Sequence, residues 1–331
     1  MTARRNRPRN VQRSASKLAA LDLYSFRYLV VILGVPRREL IDLAAHAGRF
    51  YSPFPKGDKP RPFARKIKPR KRRLIDNPTG FLKLIQSRIE TRLLKRLVLP
   101  EHLLGGIVGK TIKQNARLHF DAPYIVTIDI KNFFPSITPC QVYSVWKNVL
   151  NCSPEIAETL TKLTTFRGRL PRGAPTSTLL ANLVLADLDL PIRTACEEKQ
   201  VRYTSWVDDL AFSGKHARDI VSSVIDILRK SGFAVAHAKI KVMGPGDKKT
   251  INKLVLGRFI TVERAYLERI RAGIHNLAIG KVGASDFGRY ILSLEGQINY
   301  VGLFDSNKAT RLRLALEAGK GAWRHTPRPP L

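Results

Sequence analysis

Apolar positions recur at helical spacing through residues 18–50, and Gly34-Val35-Pro36 interrupts them. The pattern predicts two helices, with Pro36 in the first turn of the second, which runs through Leu40, Leu43 and Ala44. From Phe81 to Leu99 the apolar residues fall at 81, 84, 85, 89, 93 and 97, a helix that Pro100 ends. Then the period changes. Tyr124-Ile-Val-Thr-Ile-Asp129-Ile is a β-branched run closing on an acid, the pattern of a buried strand. Helical patterns return around 139–150, over 154–166 and from Leu179 to Ala195. Val201 to Ser213 reads as two short strands turning at a double aspartate, Ile220 to Lys230 as a helix, and Gly232 to Val242 as a further strand. Beyond about residue 262 the pattern is mostly helical, down to a Pro-rich end. Strands interleaved with helices predict an α/β or α+β domain, and no internal repeat is present.

Residues 51–80 break this rhythm. Pro and Gly punctuate the segment, and Lys56 to Arg73 holds ten basic residues against Asp58 alone, net +9. A β-hairpin or extended loop with a positive face fits, and one-signed charge at this density favours phosphate binding over a solvated linker. Residues 1–17 read as a flexible basic arm (Arg4, Arg5, Arg7, Arg9, Arg13, Lys17, no acid) that a polyanion would order. The whole chain, 331 residues, has Lys+Arg 58 and Asp+Glu 26, a formal charge of +32. Hydrophobic residues at 44% exclude wholesale disorder. The charge argues against an enzyme of small neutral substrates and for contact with phosphate backbones. A ribosomal-type binder and a membrane-surface protein share that charge. Cys140, Cys152 and Cys196 form no CxxC pair, so reduced thiols are expected rather than a disulfide framework or a zinc knuckle. The basic N-terminus lacks an apolar stretch of the secretory kind, and Tyr28 to Val35 is too short to span a bilayer. A soluble cytoplasmic protein with no membrane partner is the expectation.

Two acidic positions each follow an apolar strand pattern: Asp129, and the pair Asp208-Asp209. A carboxylate at the end of a buried strand is costly unless a positive charge meets it, and adjacent acids repel. A divalent cation with oxygen ligands resolves both. Taken alone, Asp208-Asp209 reads equally well as a hairpin turn.

The order of the segments decides more. Asp129-Ile-Lys-Asn-Phe-Phe134-Pro-Ser-Ile, then Leu170-Pro-Arg-Gly-Ala-Pro-Thr-Ser177 with Asn182-Leu183, then Trp206-Val-Asp-Asp209 resemble motifs A, B and C of a reverse transcriptase palm. Arg73-Leu-Ile-Asp-Asn-Pro78 followed by Leu82-Lys-Leu-Ile-Gln86 resembles the fingers motif, and Gly232-Phe-Ala-Val-Ala-His-Ala-Lys239 resembles motif D. Within that family Asn115-Ala-Arg-Leu-His119 fits the NAxxH element of bacterial retron enzymes, and Leu294-Glu-Gly-Gln-Ile-Asn-Tyr300 fits their thumb. The resemblance spans roughly residues 18–305. It implies an α+β right-hand fold: a basic arm (1–17), N-terminal helices with fingers and an antiparallel palm (18–250), a small helical thumb (251–320) and a Pro-rich tail (321–331).

The same resemblance implies an RNA-directed DNA polymerase. Two Mg²⁺ ions would sit on Asp129, Ile130, Asp208 and Asp209, and Lys239 would be the acid for the leaving pyrophosphate. Arg72 or Arg73 would meet the triphosphate, and Phe134 would gate against a 2′-OH. Gly173, Ala174 and Pro175 would lie under template and nucleotide, while Gln86, Asn115, His119 and Trp206 would face RNA. The plain alternatives are core packing for one of Phe133 and Phe134, a solvated lysine at 239 and a structural histidine at 119. Two departures stand out. Trp206 replaces the usual Tyr of motif C and lacks its hydroxyl, and Val255-Leu256-Gly257 stands where retron enzymes carry Val-Thr-Gly. A retron enzyme would use a structured non-coding RNA as template and primer. Starting from a 2′-OH, it would make a branched RNA–DNA molecule for anti-phage defence with a separately encoded effector. Other readings are another small bacterial reverse transcriptase (diversity-generating, abortive-infection or intron-derived) and an inactive RNA-binding protein on the same fold.

Overall fold

Gly34 shows how closely local sequence dictates this chain: left-handed at φ 63°, it ends the first helix, and Pro36 opens the second. The computed structural model describes residues 20–56 and 73–325. The expected basic arm at 1–17, most of the basic stretch at 56–73, Arg72 and the end of the Pro-rich tail lie outside the described residues.

In chain order the elements are α1 (Phe26–Leu33), α2 (Arg37–His46), β1 (Tyr51–Lys56), β2 (Arg73–Pro78), α3 (Gly80–Arg92), α4 (Ile112–Leu118), β3 (Ile125–Lys131), α5 (Phe133–Ser136), α6 (Pro139–Ser144), α7 (Pro154–Thr164), α8 (Ser177–Leu188) and α9 (Leu190–Glu198). They continue through β4 (Arg202–Trp206), β5 (Asp209–Ser213), α10 (Val221–Lys230), β6 (Ala234–Val235), β7 (Lys241–Met243), β8 (Lys249–Ile251), β9 (Leu254–Leu256), β10 (Ile260–Val262), α11 (Arg264–Ala278), α12 (Phe287–Gly302) and α13 (Ser306–His325).

The chain forms two compact units and passes between them repeatedly. The first takes residues 1–108, 131–191 and 230–234, the second 109–130, 192–229 and 235–331. The sequence-ordered division expected above, with a boundary at 250, differs from this. The strands bearing the paired acids share a unit with the C-terminal helices.

In the first unit, α1, α2, α3 and α7 pack on one another, burying Leu29, Leu33, Leu40, Leu82, Ile85 and Ile89. Their apolar faces follow the 3.6-residue period of the sequence. β1 and β2 pair antiparallel from Tyr51↔Pro78 to Lys56↔Arg73, the predicted hairpin.

In the second unit, a mixed-length sheet runs β4-β5-β3-β6, with β7 also pairing β3. β3 lies antiparallel to β5 with Ile125↔Ser213 and Asp129↔Asp209, and β4 to β5 with Trp206↔Asp209. A three-stranded sheet β10-β9-β8 follows, then α11, α12 and α13. Ile270, Leu277, Ile298 and Leu316 from the helices join Leu254 and Ile125 in one core.

Several expected elements differ. The helix expected over 81–99 stops at Arg92, with a short 3₁₀ turn at Leu94–Arg96. The helix expected over 179–195 is two, α8 and α9, divided at Asp189. Gly232 to Val242 is not one strand: β6 has two residues, His237–Lys239 turn as a 3₁₀ helix, and β7 resumes at Lys241.

Candidate active site

Strand register builds the site. Asp129 and Asp209 face each other across β3 and β5, at the end of the ladder where β5 begins. Val207 and Asp208 turn the chain from β4 to β5, and Val207 sits at φ 62°, a left-handed conformation that is an outlier for a β-branched side chain. The Ile130 N–H donates to the Asp208 carbonyl at 2.9 Å, so the turn is fastened to the strand that carries Asp129. All three predicted acids therefore stand together at one edge of the sheet.

The charges at this edge strain against one another. Burial first, then the neighbouring charges of Asp208 and Asp129, push the Asp209 carboxyl up to about 6, against the pull of Lys239 and Lys253. Lys239 Nζ donates to both carboxylate oxygens of Asp129 at 2.8 Å, and the Ala236 N–H donates to the Asp129 carbonyl at 2.9 Å. The 3₁₀ turn over His237–Lys239 thus delivers a cation onto the acid. Among the described residues no three ligating side chains converge on one point. The donor set is nonetheless all hard oxygen, with more negative charge than Lys239 alone offsets, which suits a divalent cation of the Mg²⁺ kind. Ile130 is buried beside these acids, so any ligand it offers is its backbone carbonyl. Trp206 is half-buried and registers against Asp209.

The nucleotide-binding expectations fall in the first unit. Phe133 is buried against Phe233, ring centroids 5.5 Å apart, while the Phe134 side chain keeps part of its surface open. Of the two, Phe133 is the core residue. Gly173 is left-handed at φ 104°, and a Cβ there would lie 2.7 Å from Ile75 Cγ2. Strand β2 needs that bare backbone, because Asp76, buried, accepts from the Arg172 N–H at 3.3 Å and from Arg169 Nη2 at 3.2 Å. Ala174 is buried and Pro175 half-buried in the same loop. Arg73 closes the β1–β2 ladder opposite Lys56. Asp76 and Arg169 escaped the sequence reading, although Asp76 lies inside the fingers-like segment.

Three residues expected to touch RNA are instead inside the protein. Gln86 is fully buried, its Nε2 donating to Tyr51 Oη and to the Leu163 carbonyl, both at 2.8 Å. Asn115 and His119, on and just after α4, are 1% and 0% exposed. Asn115 Nδ2 donates to Asn252 Oδ1 at 2.6 Å, and Thr204 Oγ1 donates to Asn115 Oδ1 at 2.6 Å. His119 bridges Thr204 Oγ1 through Nε2 and Ser213 Oγ through Nδ1, each at 2.7 Å. With the Thr204 hydroxyl proton given to Asn115, the network assigns the ring proton to Nε2 and makes Nδ1 the acceptor from Ser213. Burial, and then the Arg202 charge, lower the His119 pKa to about 3, so the ring is neutral. The NAxxH segment therefore ties α4 to β4, β5 and the β8–β9 turn. Burial leaves these three side chains no surface for direct contact with RNA.

Comparison with known proteins identifies the family. Residues 55–271 match the family model described as reverse transcriptase (RNA-dependent DNA polymerase). The chain belongs to the reverse transcriptase family. It is 30% identical to the retron Ec86 reverse transcriptase of Escherichia coli, over 69% of this chain and 74% of that one. It is 27% identical to the retron Se72 enzyme of Salmonella heidelberg (63% of this chain, 51% of that one) and to the retron Mx65 enzyme of Myxococcus xanthus (72% and 60%). The chain thus spans about three quarters of the first relative but only half to three fifths of the next two. Among solved structures, a Candida albicans telomerase in complex with a fragment of telomeric RNA aligns at TM-score 0.43 and 10% identity, over 88% of this chain and 66% of that one. Mixed helices and antiparallel sheets fit the right-hand α+β fold of reverse transcriptases, and the relatives are of the retron type. Enzymes of this family generally use divalent metal ions. No helix among the described residues is long and apolar enough to cross a membrane.

Proposed function

We propose that this protein is a retron-type RNA-directed DNA polymerase that copies a structured non-coding RNA into a branched RNA–DNA molecule. The observation that carries the reading is the facing pair Asp129 and Asp209, with Asp208 at the adjoining turn and Lys239 on Asp129. Asp129, Asp208, Asp209 and the Ile130 carbonyl would hold two Mg²⁺ ions. When bound, such ions supply charge stabilisation to the attacking and leaving oxygens of an in-line phosphoryl displacement. The chain's own residues do the rest. The β4–β5 turn holds the acids at the strand end, and Trp206 offers a flat face for the terminal base pair. Lys239, held on Asp129, would protonate the departing pyrophosphate. Arg72, Arg73, Phe134 and the Gly173–Pro175 loop would receive the incoming nucleotide. A cytoplasmic role in anti-phage defence, with a separately encoded effector, completes the proposal.

The test is to purify the protein expressed with its native flanking DNA and run the bound nucleic acid on denaturing gels, with and without RNase or DNase. A discrete DNA band that shifts but survives RNase is the expected result. RNA alone, with none of it extended, would overturn self-primed synthesis.

A further inference from the structure

Helices α11 and α13 pack side by side in the second unit and leave a groove of about 710 Å³ along their outer faces. Leu267 and Ile274 from α11 and Leu312 from α13 form its apolar floor. On α13 the lining runs from Lys308 to Ala322 at intervals of one to four residues, a stripe about 21 Å long at 1.5 Å per residue. Ala315, Ala318 and Ala322 are exposed along it, and Leu314, 67% exposed, borders the same face one turn before Ala318. Four basic side chains edge the groove: Arg271 and His275, one turn apart on α11, with Lys308 and Arg311 on α13. Lys308 is occupied by Asp305 at 2.8 Å. Arg271 and His275 have no hydrogen bond or ion pair among the described residues.

The chemistry of the lining restricts what it receives. Among the described residues no acid lines the groove, and neither does any hydroxyl, amide or aromatic side chain. A nucleobase therefore has no ring to stack on and no neutral group to read it, the contacts by which bases are held. An exposed aliphatic floor of small side chains instead lets another helix come close, since helix separation follows the side chains at the contact. The chain's own basic segments are poor occupants. Residues 1–17 have six basic residues and no acid, and residues 326–331 (TPRPPL) have Arg328, no acid and three prolines that oppose a helix. A second copy brings another net +32. The complement to an apolar floor with unpaired cations at its edge is a helix with an apolar face and an acidic one.

We propose that the α11–α13 groove docks an acidic amphipathic helix of a partner protein. Its apolar face lies on Ala315, Ala318 and Ala322, and its carboxylates accept from Arg271, His275 and Arg311. Docking here is independent of polymerase activity.

The experiment uses the full-length protein and two fluorescein-labelled synthetic peptides of the same leucine, glutamate and alanine composition. One repeats leucine at i, i+3, i+4 and i+7, so that as a helix it has an apolar and an acidic face; the other has the order scrambled. Anisotropy gives Kd for wild type, for Ala318→Arg and for the double variant Arg271→Ala, Arg311→Ala, with melting temperatures measured beside them. Ala318→Arg adds positive charge but obstructs the floor at an exposed position, so seating in the groove and plain charge attraction predict opposite signs. Wild type should bind the amphipathic peptide at least about 10-fold more tightly than the scrambled one, and Ala318→Arg should lose about 10-fold for the amphipathic peptide alone. Equal affinity for the two peptides, no binding of either, or undiminished binding by Ala318→Arg overturns the proposal. A DNA primer annealed to an RNA template is titrated in parallel. Its affinity for Ala318→Arg should be no lower than for wild type; a loss matching the peptide's would assign the groove to nucleic acid and overturn the protein partner. Should Ala318→Arg fail to fold, the double variant decides: it must weaken the amphipathic peptide more than the scrambled one, and an equal loss for both overturns the proposal.

Discussion

At Asp129, Asp208 and Asp209 like charges are gathered without full compensation, so removing one should help the fold and harm the chemistry. Asp209→Asn and Asp129→Asn are each expected to lower the rate of DNA synthesis by at least about 10³-fold while melting at or above the wild-type temperature. A primer-extension assay beside a thermal melt checks both halves, and an active Asp129→Asn protein would refute the assignment. His119 has the opposite logic. It is neutral in the fold with its pKa near 3, against 6.5 when exposed, so the unfolded chain binds one more proton between those values. The stability this neutral ring contributes is complete above pH 6.5 and drains away as pH falls toward 3. Between pH 7.5 and 5 the loss should be on the order of 2 kcal/mol, at about 1.4 kcal/mol per pH unit below 6.5. Denaturant melts of wild type and His119→Gln over that range should converge as the pH drops; parallel curves would mean the ring is not held neutral.

Elements were legible where a single local rule governs them. Gly34 and Pro36 punctuate α1 and α2, a β-branched run closing on an acid marks β3, and a double aspartate marks the turn between β4 and β5, so the three acids of the site could be placed from sequence. Failures came where tertiary pairing overrides pattern. The segment 232–242 has a strand-like composition, yet the exposed Lys239 reaches onto Asp129, and that ion pair exists only once β3 is in place. α4 is seven residues long and carries no long apolar period. Its signal was Thr111 with Gln114, a capping box in which each side chain bonds the other's backbone. Thr111→Ala should therefore cost about 1 kcal/mol, measured by denaturant titration. The burial of Gln86, Asn115 and His119 could not be read from residue type, since polar side chains near a motif look alike whether they face a ligand or a hydrogen-bonded core. Gly173 is the clearest element-level test. An alanine there places Cβ against Ile75 at a φ that side chains avoid. Gly173→Ala should lower the melting temperature and, by shifting β2, raise the KM for nucleotide more than it lowers the affinity for primer–template.

Charge is the property of the whole molecule that no single site explains. The net +32 is spread along the chain, with six basic residues and no acid in 1–17 and a net +9 between Lys56 and Arg73, while the strand ends that carry Asp129, Asp208 and Asp209 are acidic. Attraction to the phosphate backbone and the chemistry at the acids should therefore separate experimentally. If the basic segments neutralise many phosphates, counterion release makes log Kd rise steeply with log[salt], and affinity for a structured RNA should fall by about 10³-fold or more between 50 and 200 mM salt. Deleting residues 1–17 should make that slope shallower in proportion to the phosphates those six side chains contact, with little change in the rate of extending a bound primer. Asp129→Asn should do the reverse, abolishing extension with the slope intact. Filter binding at four or five salt concentrations, with extension measured on pre-formed complexes, resolves the two. A flat salt dependence would mean that the excess charge serves something other than nucleic acid. A deletion that slows extension of bound primer would mean that the basic arm takes part in the chemistry itself.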